Sequence, residues 1–241
     1  MSQNRILSLS SSRGGNFDYL ETAIPLIEDF LGGKTTNIAF IPFASADNNY
    51  DEYVSKVREA LKDLPHTINV VLPENAKSII EKSEAIMVGG GNTFKLLHDI
   101  YKLNLLDVIR DKVNAGAPYI GWSAGANIAG PTIGTTNDMP IIEPKSFNAL
   151  GLFPFQINPH YINQKAEGFN GETRDQRLEE FMKMNPGISI VCLPEGTALQ
   201  LKSDVLKFIG QSSGILFHHE KNEETFVRQQ IVEGSDLSYL L

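Results

Sequence analysis

Five consecutive residues near the middle of the chain have the pattern of a catalytic serine. Gly121–Gly125 reads Gly-Trp-Ser-Ala-Gly and places Ser123 between two glycines, directly after the apolar run Tyr119–Trp122. Between a strand and a helix, a Gly-x-Ser-x-Gly pattern is typical of a nucleophile elbow, whose sharp turn exposes the serine hydroxyl. The following helix offers N–H donors and the positive end of its dipole to developing negative charge. The alternative interpretation is an ordinary turn in which the serine caps the helix.

A second candidate is the glycine cluster Gly89–Gly91, which follows the apolar run Ala85–Val88 and precedes a helical pattern over Phe94–Ile100. Three interpretations stay open: a phosphate-binding loop, a simple turn, or an oxyanion hole formed together with the N–H of Ala124. The sequence lacks both the dinucleotide fingerprint and the lysine-serine pair of a P-loop. The strands before the two glycine motifs are consecutive candidates, so we expect the two loops to be neighbours.

A serine nucleophile needs a base that works near neutral pH, which is usually histidine. Of the five histidines, His160 lies in Asn158–Tyr161, where a proline fixes the loop after the apolar Leu150–Phe155. We therefore predict His160 as the base, the alternative being a structural loop histidine. The other four are interpreted as surface or structural residues: His66, His98, His218 and His219.

Two acids are candidates for the carboxylate that orients the base. Glu195 lies at a predicted strand end and is followed by a glycine. Asp138 lies between Ser123 and His160 in the chain, which is the order found in α/β-hydrolases. Triads occur in several chain orders, so the strand-end position of Glu195 is the better argument. Alternatively, either acid is an exposed or turn-capping residue.

A cation for an acidic substrate is predicted within Gly171–Leu178, which opens a helix after the histidine loop. Arginine binds a carboxylate through two parallel hydrogen bonds, so Arg174 or Arg177 could hold an acidic side chain. The alternative is a pair of solvated charges at a helix start. A local cation is needed because the chain carries a net charge of -8, from 29 acids and 21 bases.

The elements that position these residues alternate between short apolar runs and segments of helical periodicity. Predicted strands are Ile6–Leu9, Asn37–Pro42, Ile68–Leu72, Ala85–Val88 and Tyr119–Trp122. Predicted helices include Asp51–Leu64 and Asn104–Asn114. Such alternation indicates an α/β fold with a mostly parallel sheet sandwiched between helices.

The last third of the chain predicts an antiparallel extension of the sheet edge. The apolar strand Ser189–Leu193 is followed by the strand-like Ala198–Lys202, Val205–Ile209 and Gly214–Phe217. The tail Glu220–Leu241 is charged, then mixed, and carries no motif. Because the sequence has no internal repeat or linker, residues 1–241 are interpreted as a single domain.

Composition excludes several classes of function. An acidic chain is a poor nucleic-acid binder. No apolar run approaches the roughly 20 residues of a membrane helix, and the N-terminus lacks a signal-peptide pattern. The single cysteine, Cys192, excludes an internal disulfide. We expect a cytoplasmic monomer or homodimer that uses no cofactor and, because its histidines and cysteine lack ligand spacing, no metal.

Taken together, the motifs resemble those of peptidase E, the aspartyl dipeptidase family, from about Ile6 to Phe217. The motifs in question occur here in the family's order: Gly-Gly-Gly-Asn-Thr-Phe, Gly-Trp-Ser-Ala-Gly-Ala-Asn, Asn-Pro-His-Tyr, Gly-Glu-Thr-Arg and Leu-Pro-Glu-Gly. The resemblance implies a class I glutamine amidotransferase-like (flavodoxin-like) fold, with serine in place of cysteine. It also implies hydrolysis of small Asp-X peptides.

The resemblance implies roles for individual residues. They are Ser123 as nucleophile, His160 as base, Gly91 and Ala124 as oxyanion donors, and Arg174 as ligand of the aspartyl carboxylate. For the third member of the triad both Asp138 and Glu195 stay open. Other functions stay open too: a cyanophycinase-like hydrolase of an aspartate-containing polymer, a non-catalytic amidotransferase-like binding module, and a phosphate or nucleotide binder.

Overall fold

A computed structural model describes residues 4–47, 49–164, 167–168, 170–219 and 226–241 of the chain. The strands are β1 (Arg5–Leu9), β2 (Asn37–Ile41), β3 (Thr67–Val70), β4 (Ala85–Val88), β5 (Tyr119–Trp122), β6 (Gln156–Pro159), β7 (Ile190–Leu193), β8 (Ala198–Lys202), β9 (Val205–Ile209), β10 (Gly214–His219) and β11 (Phe226–Ile231). The α-helices are α1 (Ile24–Leu31), α2 (Tyr50–Ala60), α3 (Ala76–Lys82), α4 (Thr93–Lys102), α5 (Leu106–Asn114), α6 (Ala124–Asn127) and α7 (Arg174–Met184).

The larger sheet has seven strands in the order β3-β2-β4-β5-β1-β8-β9. Its first five strands are parallel, and β8 and β9 add an antiparallel edge. Both faces are covered: along β2, Ile38 and Phe40 belong to one core cluster, whereas Ala39 and Ile41 belong to another. Side chains alternate between faces, so a strand buried on both sides must be apolar throughout. Each large aliphatic or aromatic side chain buried there stabilises the fold by about 1.5–3 kcal/mol.

A second sheet of four strands has the order β11-β10-β7-β6. In it β6 and β7 are parallel, and β10 runs antiparallel to both β7 and β11. The sequence had predicted that β10 would extend the edge of the main sheet, but it pairs with β7 instead. The physical reason is a separate core cluster, in which Phe217 packs with Ile190, Cys192 and Met182. That packing joins residues distant in sequence and leaves no local signal.

The predicted strands and helices are present, with ends that differ by a few residues. In the described part of the chain, five further elements are not predicted by the sequence: α1, α3, β6, β11 and a short 3-10 helix over Ser238–Leu240. The strand β6 consists of Gln-Ile-Asn-Pro, a composition that β-propensity disfavours, yet all four residues are buried;. Residues 220–225 of the tail lie outside the described part of the chain. Among the helices that the structure describes, none is both long and apolar enough to cross a bilayer.

The sheet register explains why the polar motifs meet. Val88 pairs with Gly121 across β4 and β5, so the glycine cluster leaves the sheet beside the serine turn. In the second sheet Pro159 pairs with Leu193, so the residues after β6 and β7 also emerge side by side. The hydroxyl of Ser10 connects the two sheets, since it donates to the carbonyl of Leu193 at 2.7 Å.

Candidate active site

Ser123 occupies the turn between β5 and α6, as the nucleophile-elbow prediction required. Its backbone has φ 54° and ψ -113°, a region that residues with a side chain rarely adopt;. The flanking glycines permit the turn: a Cβ on Gly121 would lie 2.4 Å from the carbonyl oxygen of Gly125, and one on Gly125 would lie 2.3 Å from that of Val88. The serine side chain does not cap α6, so the helix-capping interpretation fails.

His160 follows β6 and also has a positive φ, of 51°. Its backbone N–H donates to the hydroxyl of Ser10 at 2.9 Å. Its imidazole Nε2 lies 2.9 Å from Ser123 Oγ, within the range of a hydrogen bond;. Two strained backbones therefore face each other at one site, a concentration that is characteristic of functional positions.

Glu195 is the candidate acid that lies next to the imidazole. Its Oε1 lies 2.9 Å from the Nδ1 of His160, on the opposite side of the ring from Ser123. A carboxylate at Nδ1 fixes the proton on that nitrogen and leaves the Nε2 lone pair directed at the serine hydroxyl. The side chains of His160 and Glu195 are 40% and 57% exposed, so this pair is screened by solvent;.

Asp138, the other candidate acid, has different partners. Its Oδ2 accepts hydrogen bonds from the backbone N–H of Thr93 at 2.7 Å and from the hydroxyl of Thr93 at 2.6 Å. Among the described residues, the ring nitrogens of His160 contact only Ser123 and Glu195. The carboxylate of Asp138 thus lies at the N-terminus of α4, where it complements the helix dipole.

The glycine cluster abuts the serine. A Cβ on Gly90 would lie only 2.8 Å from the Cβ of Ser123, which confirms that the two loops are neighbours. Gly91 has a φ of 136°. In the described part of the chain, neither the N–H of Gly91 nor that of Ala124 donates a hydrogen bond to another protein group. Ala124 follows Ser123 directly and Gly91 lines the same cavity as Ser123, so these two unpaired N–H groups are candidates for binding an oxyanion.

Ser123 and His160 open onto a cavity of about 430 Å³, within the range of small-molecule sites;. Its lining residues are Ser12, Arg13, Tyr19, Tyr53, Lys56, Gly90, Gly91, Trp122, Ser123 and His160. Sequence reasoning missed several of these. A signal existed for Arg13, which lies shortly after the strand β1, at the sheet edge where parallel strands present functional groups. No motif marked Tyr53, which is partly buried against the core, or Lys56, which lies on the exposed side of α2.

Arg174 is the first residue of α7 and does not line this cavity in the described part of the chain. Burial, followed by the nearby charge of Arg177, lowers its guanidinium pKa. Among the described residues Arg174 has no hydrogen-bond or ion-pair partner, whereas Arg177 lies 3.7 Å from Glu172. A partly buried arginine without a counter-ion suits an anionic ligand.

Asp175, the residue that follows Arg174, has a carboxylate that is already paired with other side chains. Arg228 Nε of β11 donates to Asp175 Oδ2 at 2.8 Å, and the Tyr161 hydroxyl donates to the other carboxylate oxygen. The Asp175 carboxylate is therefore occupied by Arg228 and Tyr161 and is not available to neutralise Arg174. Within the described residues no group of three or more His, Cys, Asp or Glu side chains is arranged to hold a metal ion.

The fold and this geometry together define a serine peptidase built on an α/β sheet. The chain belongs to peptidase family S51, whose pattern matches residues 6–209. It is 48% identical to a peptidase E of Nostoc sp. over 223 aligned residues, and the alignment covers 92% of each chain. It is 50% identical over 212 residues to a peptidase E of Haemophilus influenzae, or 86% of this chain and 96% of the relative.

Solved structures share the fold. A crystal structure from Listeria monocytogenes EGD-e superposes with a TM-score of 0.68 at 24% identity, over 87% of this chain and 99% of that one. The structure of a peptidase from an acI-B1 Actinobacterium gives the same TM-score at 17% identity, over 97% and 96% of the two chains. At such low identity the likeness concerns the fold alone.

Proposed function

We propose that this protein is an aspartyl dipeptidase, which hydrolyses Asp-X through an aspartyl-enzyme intermediate on Ser123. The observation that carries the proposal is the chain of hydrogen bonds from Glu195 through His160 to Ser123, with both distances at 2.9 Å. The close relatives bear the name peptidase E, the family whose motifs the sequence resembles. The site residues are our assignment from geometry and motif.

In the acylation step, Ser123 Oγ attacks the peptide carbonyl while His160 Nε2 accepts its proton. Glu195 holds the imidazole and stabilises the imidazolium that forms. The N–H groups of Gly91 and Ala124 bind the oxyanion, and losing one such donor typically costs about 10²–10³ in rate. His160 then protonates the leaving amine, and water hydrolyses the aspartyl ester with His160 again as base.

Arg174 is the proposed ligand of the substrate's aspartyl carboxylate. Its support is the unpaired, partly buried guanidinium described above. A neutral side chain in the substrate would leave that cation desolvated and unpaired, so discrimination can exceed what an apolar pocket achieves. Asp138 is proposed to stabilise the start of α4.

The proposed setting is the cytoplasm, where a chain with one free cysteine stays reduced;. That the chain is a single domain and a monomer or homodimer remains a prediction from the sequence. A triad with preformed geometry favours an enzyme over the binding-module alternative. The polymer hydrolase and the dipeptidase share the same chemistry and are separated by the choice of substrate.

The test is release of free aspartate from Asp-Leu, with Asn-Leu as a nearly isosteric neutral control and Glu-Leu and Ala-Leu beside it. We expect cleavage of Asp-Leu alone and a loss of about 10⁴-fold or more in Ser123→Ala. Arg174→Met should raise KM for Asp-Leu and reduce the preference over Asn-Leu. Equal cleavage of Asp-Leu and Asn-Leu by the wild type would refute a carboxylate-specific site, and cleavage of an aspartate polymer alone would favour the other hydrolase.

A further inference from the structure

Tyr53, which no motif singled out, reaches the glycine cluster from α2. Its hydroxyl donates a hydrogen bond to the carbonyl oxygen of Gly90 at 3.0 Å. We propose that Tyr53 is a positioning residue, which holds the peptide between Gly90 and Gly91 in the orientation that the oxyanion hole requires. The inference rests on the proposed function, because it concerns the Gly91 N–H as an oxyanion donor.

The geometry of the peptide unit links the two ends of this bond. Among the described residues there is no cis peptide bond. In a planar trans peptide, the carbonyl group and the N–H of the next residue point in opposite directions. A hydrogen bond that fixes the carbonyl oxygen of Gly90 therefore also fixes the direction in which the Gly91 N–H points.

This peptide needs an anchor because glycines flank it on both sides. Without a Cβ, a glycine rotates over a wide range of φ and ψ at little steric cost, so a peptide between two glycines can flip easily. The loop is held on either side: Gly89 N–H donates to Ile41 at 3.0 Å and Asn92 N–H donates to Ala44 at 2.8 Å. Between these two bonds, the described residues provide the Tyr53 hydroxyl as the sole hydrogen-bond partner of the Gly90–Gly91 peptide.

Tyr53 is itself held in place. Its ring packs edge-on against Phe40, with the ring centroids 5.4 Å apart. Its hydroxyl lies over Gly89, where an added Cβ would approach it to 2.2 Å. Burial raises the pKa of Tyr53 to about 12, so the hydroxyl keeps its proton and remains a donor at the pH of any peptidase assay;.

A direct contact between Tyr53 and the substrate is the competing explanation, since Tyr53 lines the same cavity as Ser123. The two roles predict different kinetics. A residue that aligns an oxyanion donor acts in the transition state and changes kcat, whereas a residue that binds the ground state changes KM.

The experiment compares Tyr53→Phe with Tyr101→Phe, using the full chain and Asp-Leu as substrate. Tyr101 is a matched control, since its hydroxyl also donates to a backbone carbonyl, that of Asn148 at 2.9 Å, away from the cavity. A neutral hydrogen bond of this kind shifts an equilibrium about 2- to 10-fold, so we expect kcat to fall by that factor in Tyr53→Phe with KM unchanged. Both variants should have similar melting temperatures.

Inhibitor binding provides a second measurement. An aspartyl boronic acid forms a tetrahedral adduct with the serine, and its Ki should rise in Tyr53→Phe by the same factor as the fall in kcat. The Kd of L-aspartate should not change. A rise in KM with normal kcat, or a kcat equal to that of Tyr101→Phe, would overturn the inference. If the wild type cleaved no Asp-X peptide, the proposed function would fail, and this inference with it.

Discussion

Replacing Glu195 by glutamine tests which carboxylate orients the base. A glutamine amide can donate to Nδ1 and so favour the tautomer in which Nε2 carries the proton and cannot accept one from Ser123. For a buried triad aspartate the equivalent change costs roughly 10⁴ in kcat. Glu195 is 57% exposed and solvent screens its charge, so we expect a smaller loss, about 10²-fold.

Asp138→Asn is the paired variant, and the structure predicts the opposite pattern for it. The change replaces a charged acceptor of two hydrogen bonds from Thr93 by a neutral one. We expect a loss of about 1–2 kcal/mol in the free energy of unfolding, because bonds to a charged group at a helix N-terminus are worth somewhat more than neutral ones. For a chain of this size that lowers Tm by roughly 2–8 °C, with kcat changed by less than about 3-fold.

The assay is kcat and KM for Asp-Leu together with a thermal melt of each variant. Glu195→Gln should lose rate at unchanged Tm, and Asp138→Asn should lose Tm at nearly unchanged rate. The reverse result would be a large loss of kcat in Asp138→Asn while Glu195→Gln stays active. It would show that Glu195, although it lies next to the imidazole, is not the carboxylate that orients His160.

Three further predictions follow from contacts in the structure. Gly90→Ala would bring a Cβ to 2.8 Å from that of Ser123, so we expect kcat to fall by about 10²-fold or more as the oxyanion loop is displaced, which the same peptide assay measures. Cys192 is fully buried and its thiol pKa lies well above the usual value; a thiol reagent at pH 8 should therefore modify it only after unfolding, and rapid native labelling would contradict this. Asp99→Asn removes the carboxylate that lies 2.5 Å from the mostly buried Lys95. Because the ammonium of Lys95 is then left without its counter-ion, we expect the free energy of unfolding to fall by about 2–3 kcal/mol in a denaturant titration.

The candidate nucleophile was readable from a local pattern. The elbow around Ser123 requires glycines on both sides of the serine and a strand before it, and both requirements appear within nine residues of sequence. The parallel strands were equally visible, because a strand covered on both faces must be apolar throughout. The count of one cysteine excluded an internal disulfide. The order of the residues showed no apolar run long enough for a bilayer.

Which of Glu195 and Asp138 lies beside the imidazole depended on the tertiary structure. Both acids have the right chemistry, and only the register that places Pro159 opposite Leu193 brings Glu195 to the ring of His160. The second sheet was hidden for the same reason, since β10 selects its partner by packing between distant segments.

The role inferred for Tyr53 was also beyond the sequence, because nothing in α2 marks a helix residue as the partner of a loop carbonyl 37 positions away. The sequence by itself determined which groups could react and the class of fold that carries them, since these depend on residue type and on spacing along the chain. The tertiary structure decided which groups touch, because contacts between distant segments depend on strand order, register and packing, which no local pattern contains.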